Sequence, residues 1–168
     1  MEETRVPFAI TPLEFSDLDA VFVLDQACFP GDVAFPRHLF AFLLKSPDCL
    51  GLCVKDRGKL AGFIIVQAIN FQKAQLVTLD IDPHYRRRGI GASLLKSAHT
   101  FLKERGFQTI LLEVAVNNEH AQKLYHKVGY EYIRTKKRYY PDGSDALQMK
   151  KTLYEGPPQP PVHGNQPF

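Results

Sequence analysis

From Leu79 to Ala92 the chain reads Leu-Asp-Ile-Asp-Pro-His-Tyr-Arg-Arg-Arg-Gly-Ile-Gly-Ala. An apolar strand ends, a basic loop follows, and Gly89 and Gly91 open an amphipathic helix. Glycines at such a point let backbone N–H groups approach an anion closely, and a helix N-terminus adds roughly half a positive charge. Arg86, Arg87 and Arg88 bring three more positive charges to the same mouth. The combination predicts a cradle for a pyrophosphate. It is not a P-loop, because Gly-Lys-Ser/Thr occurs nowhere in the chain. A dinucleotide-binding turn is the stronger rival, since Glu113 lies near the acidic position that such a fold requires. Against it, Leu94 stands where the third glycine belongs, and the seven residues Asp82 to Arg88 separate strand from glycine. From these residues alone, a glycine-opened helix beside a solvated arginine run is an equal alternative.

Other side chains could handle protons. Glu113 shares one strand face with Thr109, Leu111 and Ala115, opposite Ile110, Leu112, Val114 and Val116. A carboxylate there is either paired with a surface Lys or Arg, or is a general base. Tyr125 lies on the helical stripe Ala121, Leu124, Tyr125, Val128, the pattern of a core tyrosine. Asn118 stands where it can cap that helix. Asp80 is a second carboxylate on the strand before the basic loop, either structural or part of a proton path. Tyr139 and Tyr140 flank a turn, as half-buried strand tyrosines do. No metal site is expected, because His38, His84, His99, His120 and His126 lack ligand spacing with one another. Cys28, Cys49 and Cys53 contain no C-x-x-C pair. That odd number predicts neither a zinc cage nor a disulfide framework, and it suits a reducing compartment.

The elements that must position these groups follow from hydrophobic period. Phe8–Ile10 reads as a short strand. Ser16 or Asp17 caps a helix striped by Leu18, Val21, Phe22 and Cys28, broken at Pro30-Gly31. Pro36 opens a second helix with Leu39, Phe40, Leu43 and Leu44. The apolar runs 50–55 and 60–69 form a hairpin around Asp56-Arg57-Gly58-Lys59. Residues 75–81 are a strand, 90–105 a helix stopped by Gly106, 109–116 a strand, and 119–128 a helix ended by Gly129. Two strands, 130–138 and 146–151, enclose Pro141-Asp142-Gly143. This order predicts a mixed α/β sheet with one central strand–helix–strand unit.

The 168-residue length suits one domain, and 45% hydrophobic with 23% charged residues excludes disorder throughout. A net charge of +3 is too small to imply nucleic-acid binding. Acidic residues within 1–30 argue against a targeting peptide, and no 18-residue apolar run exists, so a cytoplasmic protein without a membrane span is expected. Five of the twelve prolines fall in 157–168. The expectation is therefore a domain over 1–153 and a Pro-rich, disordered tail over 154–168.

The stretch from about Leu76 to Gly129 resembles the acetyl-CoA site of the GNAT superfamily of N-acetyltransferases, carried by Arg86-Arg87-Arg88-Gly89-Ile90-Gly91-Ala92 after Leu79-Asp80-Ile81-Asp82-Pro83. The element order agrees over about residues 8 to 151. The resemblance implies a mixed, mostly antiparallel sheet with splayed middle strands and about four flanking helices. It implies acetyl-CoA as cosubstrate, the backbone at Leu79, Asp80 and Ile81 beside the pantetheine arm, and the loop Arg86 to Ala92 on the pyrophosphate. It makes Glu113 the general base, Tyr125 the proton donor to departing coenzyme A, and Asn118 a cofactor contact. Leu112-Glu113-Val114, Asn117-Asn118-Glu119, Leu124-Tyr125-His126-Lys127-Val128-Gly129-Tyr130 and Lys137-Arg138-Tyr139-Tyr140-Pro141-Asp142-Gly143 resemble the bacterial ribosomal-protein-alanine N-acetyltransferases. That likeness implies a protein N-terminal α-amine as acceptor, possible partnership with a ribosomal protein, and Tyr139 and Tyr140 closing over the substrate. Transfer to a lysine or a small amine, or a coenzyme-A-binding module without turnover, are the alternatives. One departure concerns the acceptor side: that group usually follows Phe-Pro with Trp, whereas this chain reads Phe29-Pro30-Gly31-Asp32 and contains no tryptophan.

Overall fold

The computed structural model describes residues 8–157. The chain runs β1 (Ile10–Pro12), α1 (Leu18–Cys28), α2 (Arg37–Lys45), β2 (Cys49–Asp56), β3 (Lys59–Ala68), β4 (Lys73–Ile81), α3 (Ile90–Glu104), β5 (Thr109–Ala115), α4 (Glu119–Lys127), β6 (Glu131–Lys136) and β7 (Ala146–Thr152). The predicted elements are all present, most with ends displaced by one or two residues. The first strand is Ile10–Pro12 rather than 8–10, because its pairing with Leu52–Val54 sets its register. Most of the predicted tail, 158–168, lies outside the described residues.

The strands form one seven-stranded sheet in the order β1-β2-β3-β4-β5-β7-β6. Neighbours are antiparallel except β4 and β5, which run parallel, as a strand–helix–strand crossover requires. Helices α1 and α2 cover one face, where Leu18, Val21, Leu24, Phe40 and Leu43 meet Cys53, Phe63 and Ile65. Helices α3 and α4 cover the other, where Leu94, Leu95, Leu102 and Tyr125 pack on Ile64, Val66, Leu76, Ile110, Leu112 and Val114. Burial on both faces explains why β3 is apolar along almost its whole length. Phe40 is fully buried, edge-on to both Phe35 and Phe63. Its truncation to alanine would cost about 3–5 kcal/mol.

Two irregularities make the site. Strands β4 and β5 pair only through Lys73–Thr109, Ala74–Ile110 and Gln75–Leu111, and beyond Gln75 they splay apart. The backbone edges that would otherwise pair face a wedge-shaped opening. A bulge at Val77 also changes β4's parity, since Leu76 lies opposite Val66 but Thr78 lies opposite Ile65. Directly opposed residues share a face. Leu76 and Leu79 therefore face α3, whereas Gln75, Thr78 and Asp80 face α1.

Candidate active site

The basic loop and the glycine-opened helix form as predicted. Beyond the end of β4, Asp82 accepts the His84 N–H at 2.8 Å and closes a single turn over Pro83–Tyr85. Tyr85 donates its hydroxyl to Asp56 at 2.8 Å, which ties the loop to the β2–β3 hairpin. Arg87 (φ 63°) and Gly89 (φ 81°) are both left-handed, a conformation that costs a non-glycine residue and turns successive amides toward one concavity. Among the described residues, the N–H groups from Arg87 to Ala92 find no acceptor, while Ser93 already donates to Gly89 O at 3.0 Å. Six consecutive free amides at a helix N-terminus suit a phosphate group.

Three predicted cradle residues behave differently from their simplest reading. Arg86 Nε donates to Ile81 O at 3.3 Å, and Arg88 donates to His84 O at 3.2 Å with its guanidinium 5.1 Å from the Tyr85 ring centre. Both brace the loop while adding to its positive field. Gly91 is buried, and a Cβ there would stand 3.2 Å from Leu124 Cδ2. Its missing side chain makes room for α4 rather than leaving space on the solvent side. Ile90 is buried beside it, so the loop contributes backbone and not these side chains. Of the predicted strand contacts, Leu79 and Ile81 border the splayed part of β4. The Ile81 carbonyl already accepts from Arg86 and from Cys28 Sγ at 3.4 Å.

Glu113 lies on β5 where the strands have parted, on the α1 face. Its side chain is only 8% exposed. Oε1 accepts from Lys136 Nζ at 2.6 Å and from Gln148 Nε2 at 3.1 Å, and Oε2 accepts from Gln75 Nε2 at 2.5 Å. Of the alternatives left open by the strand pattern, the structure shows the ion-paired carboxylate, with Lys136 as its partner, and sets it beside the opening. Lys136 also stands 5.3 Å from the Tyr139 ring centre, and Tyr139 packs edge-on against Tyr140 with centroids 5.0 Å apart. Burial, then neighbouring charge including that of Glu113, raises the pKa of both tyrosines. The loop carrying them is held by Asp145, which accepts from Lys137 at 3.0 Å and from the Arg138 N–H at 2.9 Å.

Tyr125 approaches from the opposite side of the sheet. It is buried, edge-on to Tyr130 at 5.6 Å, and its hydroxyl has no hydrogen-bond partner among the described residues. Burial raises its pKa strongly, and Asp80 and Tyr140 add to the shift, so the phenol stays protonated and both groups lie within electrostatic reach. The core position and a place at the opening are compatible. Asn118 caps α4 by accepting the Ala121 N–H at 3.2 Å through Oδ1, which leaves its amide N–H groups available.

Sequence reasoning missed Gln75, Lys136, Gln148 and Asp25. Gln148 is directly opposite Glu113 across the β5–β7 ladder, so correct strand pairing would have found it. Asp25 had a visible signal: it interrupts the apolar stripe Leu18, Val21, Cys28. Cys28 is no thiolate, because burial and then Asp80 push its pKa up to about 11. No metal-binding cluster of His, Cys, Asp and Glu occurs among the described residues. None of the described helices is long and apolar enough to cross a membrane.

A parallel pair splayed beside a glycine-opened helix, with an anion cradle at its mouth, defines a class of acetyl-group transferases. The profile of the Acetyltransferase (GNAT) family matches residues 18–130, and the chain belongs to that family as an N-acetyltransferase. The chain is 33% identical over 144 residues to the Escherichia coli K12 ribosomal protein bS18-alanine N-acetyltransferase, covering 83% of this chain and 94% of that protein. An N-alpha-acetyltransferase of Sulfurisphaera tokodaii is 26% identical over 158 residues, covering 87% and 93% respectively. The crystal structure of the ribosomal-protein-S18-alanine N-acetyltransferase from Escherichia coli superposes with a TM-score of 0.82 at 30% identity, covering 90% of this chain and 97% of that one. The GNAT family uses acetyl-CoA.

Proposed function

We propose that this enzyme transfers the acetyl group of acetyl-CoA to the N-terminal α-amine of a protein, by direct attack within a ternary complex. The observation that carries the proposal is the splaying of β4 from β5, with Glu113 on one face of the sheet, the buried Tyr125 on the other, and the free amides of Arg87 to Ala92 following the end of β4. The splayed backbone from Leu79 to Ile81 and the Asn118 amide suit the rest of the cofactor. Bound acetyl-CoA supplies an acetyl thioester. Glu113, directly or through a water, accepts the proton that the acceptor ammonium must lose before its nitrogen can form the new C–N bond. Tyr125, held protonated, gives its hydroxyl proton to the sulfur as the C–S bond breaks. Cys28, a half-buried thiol with its pKa raised to about 11, is unsuited to carrying an acetyl group in between.

Three considerations support an α-amine. Its pKa is about 7.7–8.0 against about 10.4 for lysine, so roughly a third is neutral near pH 7.5 against about one lysine in a thousand. A single carboxylate base already engaged by Lys136 is better matched to the weaker base. The edge-on Tyr139–Tyr140 pair near Glu113 suits an extended peptide end, and the E. coli relative acts on a ribosomal-protein alanine, which makes a ribosomal protein the favoured partner. The test presents peptides beginning with Ala or Ser, the same peptides N-terminally blocked with an internal Lys, and a polyamine. Mass spectrometry should place the acetyl group on the free α-amine. Acetylation confined to lysine or the polyamine overturns the acceptor assignment.

A further inference from the structure

Beneath the opening lies a second pair of acids that the proposed chemistry does not use. Asp25 on α1 and Asp80 on β4 are each 1% exposed, and neither forms an ion pair among the described residues. Asp25 Oδ2 accepts the Phe35 N–H at 2.7 Å, and Asp80 Oδ1 accepts the Thr78 hydroxyl. The remaining oxygens, Asp25 Oδ1 and Asp80 Oδ2, are buried without any donor, and the two carboxyl groups lie within electrostatic reach of each other. With no other donor at hand, two such carboxyl groups satisfy their oxygens only through a proton held between them. Without it, two negative charges would face each other away from water.

The pair sits at a junction. Asp25 is one turn before the end of α1, and the segment that follows, Phe29 to Pro36, turns back through the Val33 and Ala34 N–H groups on Pro30 O. Phe35 returns that segment to Asp25 through its N–H and to the core through Phe40. Cys28 Sγ and Arg86 Nε both donate to Ile81 O, the residue after Asp80. The end of α1 that leads into the acceptor-side segment and the anion loop are therefore fastened to the same residue of β4, the one next to Asp80.

We propose that Asp25 and Asp80 share a single proton and, in that state, position the Phe29–Pro36 segment to receive the acceptor. Loss of the proton sets two buried negative charges against each other and releases the segment. The titratable groups facing the pair are Cys28 on α1, itself beside Arg86 of the anion loop, and Tyr125 on α4. None takes over the shared hydrogen bond. Burial and mutual repulsion raise the affinity of the pair for its proton, so positioning is complete at lower pH and fades as pH rises through that ionisation. The inference rests on the α-amine acetyltransferase reading for the identity of what the segment receives.

Asp25→Asn is the informative variant. Its carbonyl can still accept the Phe35 N–H, and its amide supplies permanently the hydrogen that the acid supplies only when protonated. The total charge equals that of the singly protonated pair. In the wild type, the acceptor-peptide KM should rise at alkaline pH by on the order of tenfold, the cost of a buried hydrogen bond left unmade, while the acetyl-CoA KM stays level. In Asp25→Asn that alkaline rise should disappear. Native-state hydrogen exchange, expressed as protection relative to the free peptide rate, gives a readout without turnover. Protection of the Phe35 amide should fall with rising pH in the wild type and hold in Asp25→Asn. An unchanged alkaline rise in the variant, parallel movement of both KM values, or pH-independent Phe35 protection in the wild type would each overturn the proposal. If no peptide is acetylated at all, the acceptor reading fails, and the exchange measurement still decides the fate of the pair.

Discussion

Replacing Glu113 with Gln separates proton chemistry from architecture. The amide is isosteric, and its carbonyl oxygen can still accept from Lys136 and Gln148, which now reach Oε1 at 2.6 and 3.1 Å. Gln75, whose amide reaches Oε2 at 2.5 Å, must turn its own carboxamide over. The charge lost leaves Lys136 without its ion partner. Because the Lys136 side chain is 28% exposed and can turn toward water, the cost stays well below that of breaking a fully buried pair. About 1–2 kcal/mol is expected, a fall in Tm of roughly 5 °C for a chain of this size. The catalytic effect should be far larger. Loss of a positioned general base typically slows the step ~10²–10⁴-fold, roughly 3–5 kcal/mol of barrier. Thiol release with a verified acceptor peptide measures kcat, titration calorimetry measures acetyl-CoA affinity, and a thermal melt checks the fold. A folded variant with wild-type kcat would refute the role given to Glu113. A fall in acetyl-CoA affinity equal to the fall in kcat would refute the separation of base from cradle.

Tyr125→Phe removes a hydroxyl that has no hydrogen-bond partner among the described residues, so Tm should hold or rise slightly while kcat falls; wild-type turnover would exclude the phenol as proton donor. Gly91→Val forces a side chain against Leu124, where a Cβ already stands at 3.2 Å, and should cost about 2 kcal/mol through overpacking, with Leu124→Ala in the same chain recovering part of the lost Tm. His99, hydrogen-bonded to Tyr130 at 2.8 Å, has its pKa lowered by burial, and further by Lys151, from 6.5 to about 4. The unfolded chain therefore binds that proton first, and His99 contributes about 3 kcal/mol of stability that is complete above about pH 6.5 and lost as pH falls toward 4. Urea unfolding across that range should show the loss in the wild type and a flatter response in His99→Gln.

Hydrophobic period and turn residues determined nearly the whole element order of this protein, because local sterics and one-sided burial act within a few residues. The glycine-opened helix and its basic loop were legible for the same reason, since Gly89 and the arginines shape their own backbone. Strand alternation put Glu113 on the correct face. Alternation says nothing about what stands across a sheet, however, and whether Glu113 was free or paired depended on Gln75, Lys136 and Gln148, brought to it from other strands. The bulge at Val77 had no sequence mark, yet it turned Asp80 from the face of Leu76 to that of Asp25. The meaning of Gly91 also came from afar, in the close approach of Leu124. Tertiary structure alone decided these points, because a buried charge is defined by the partners and the solvent around it, and residues distant in the chain supply both.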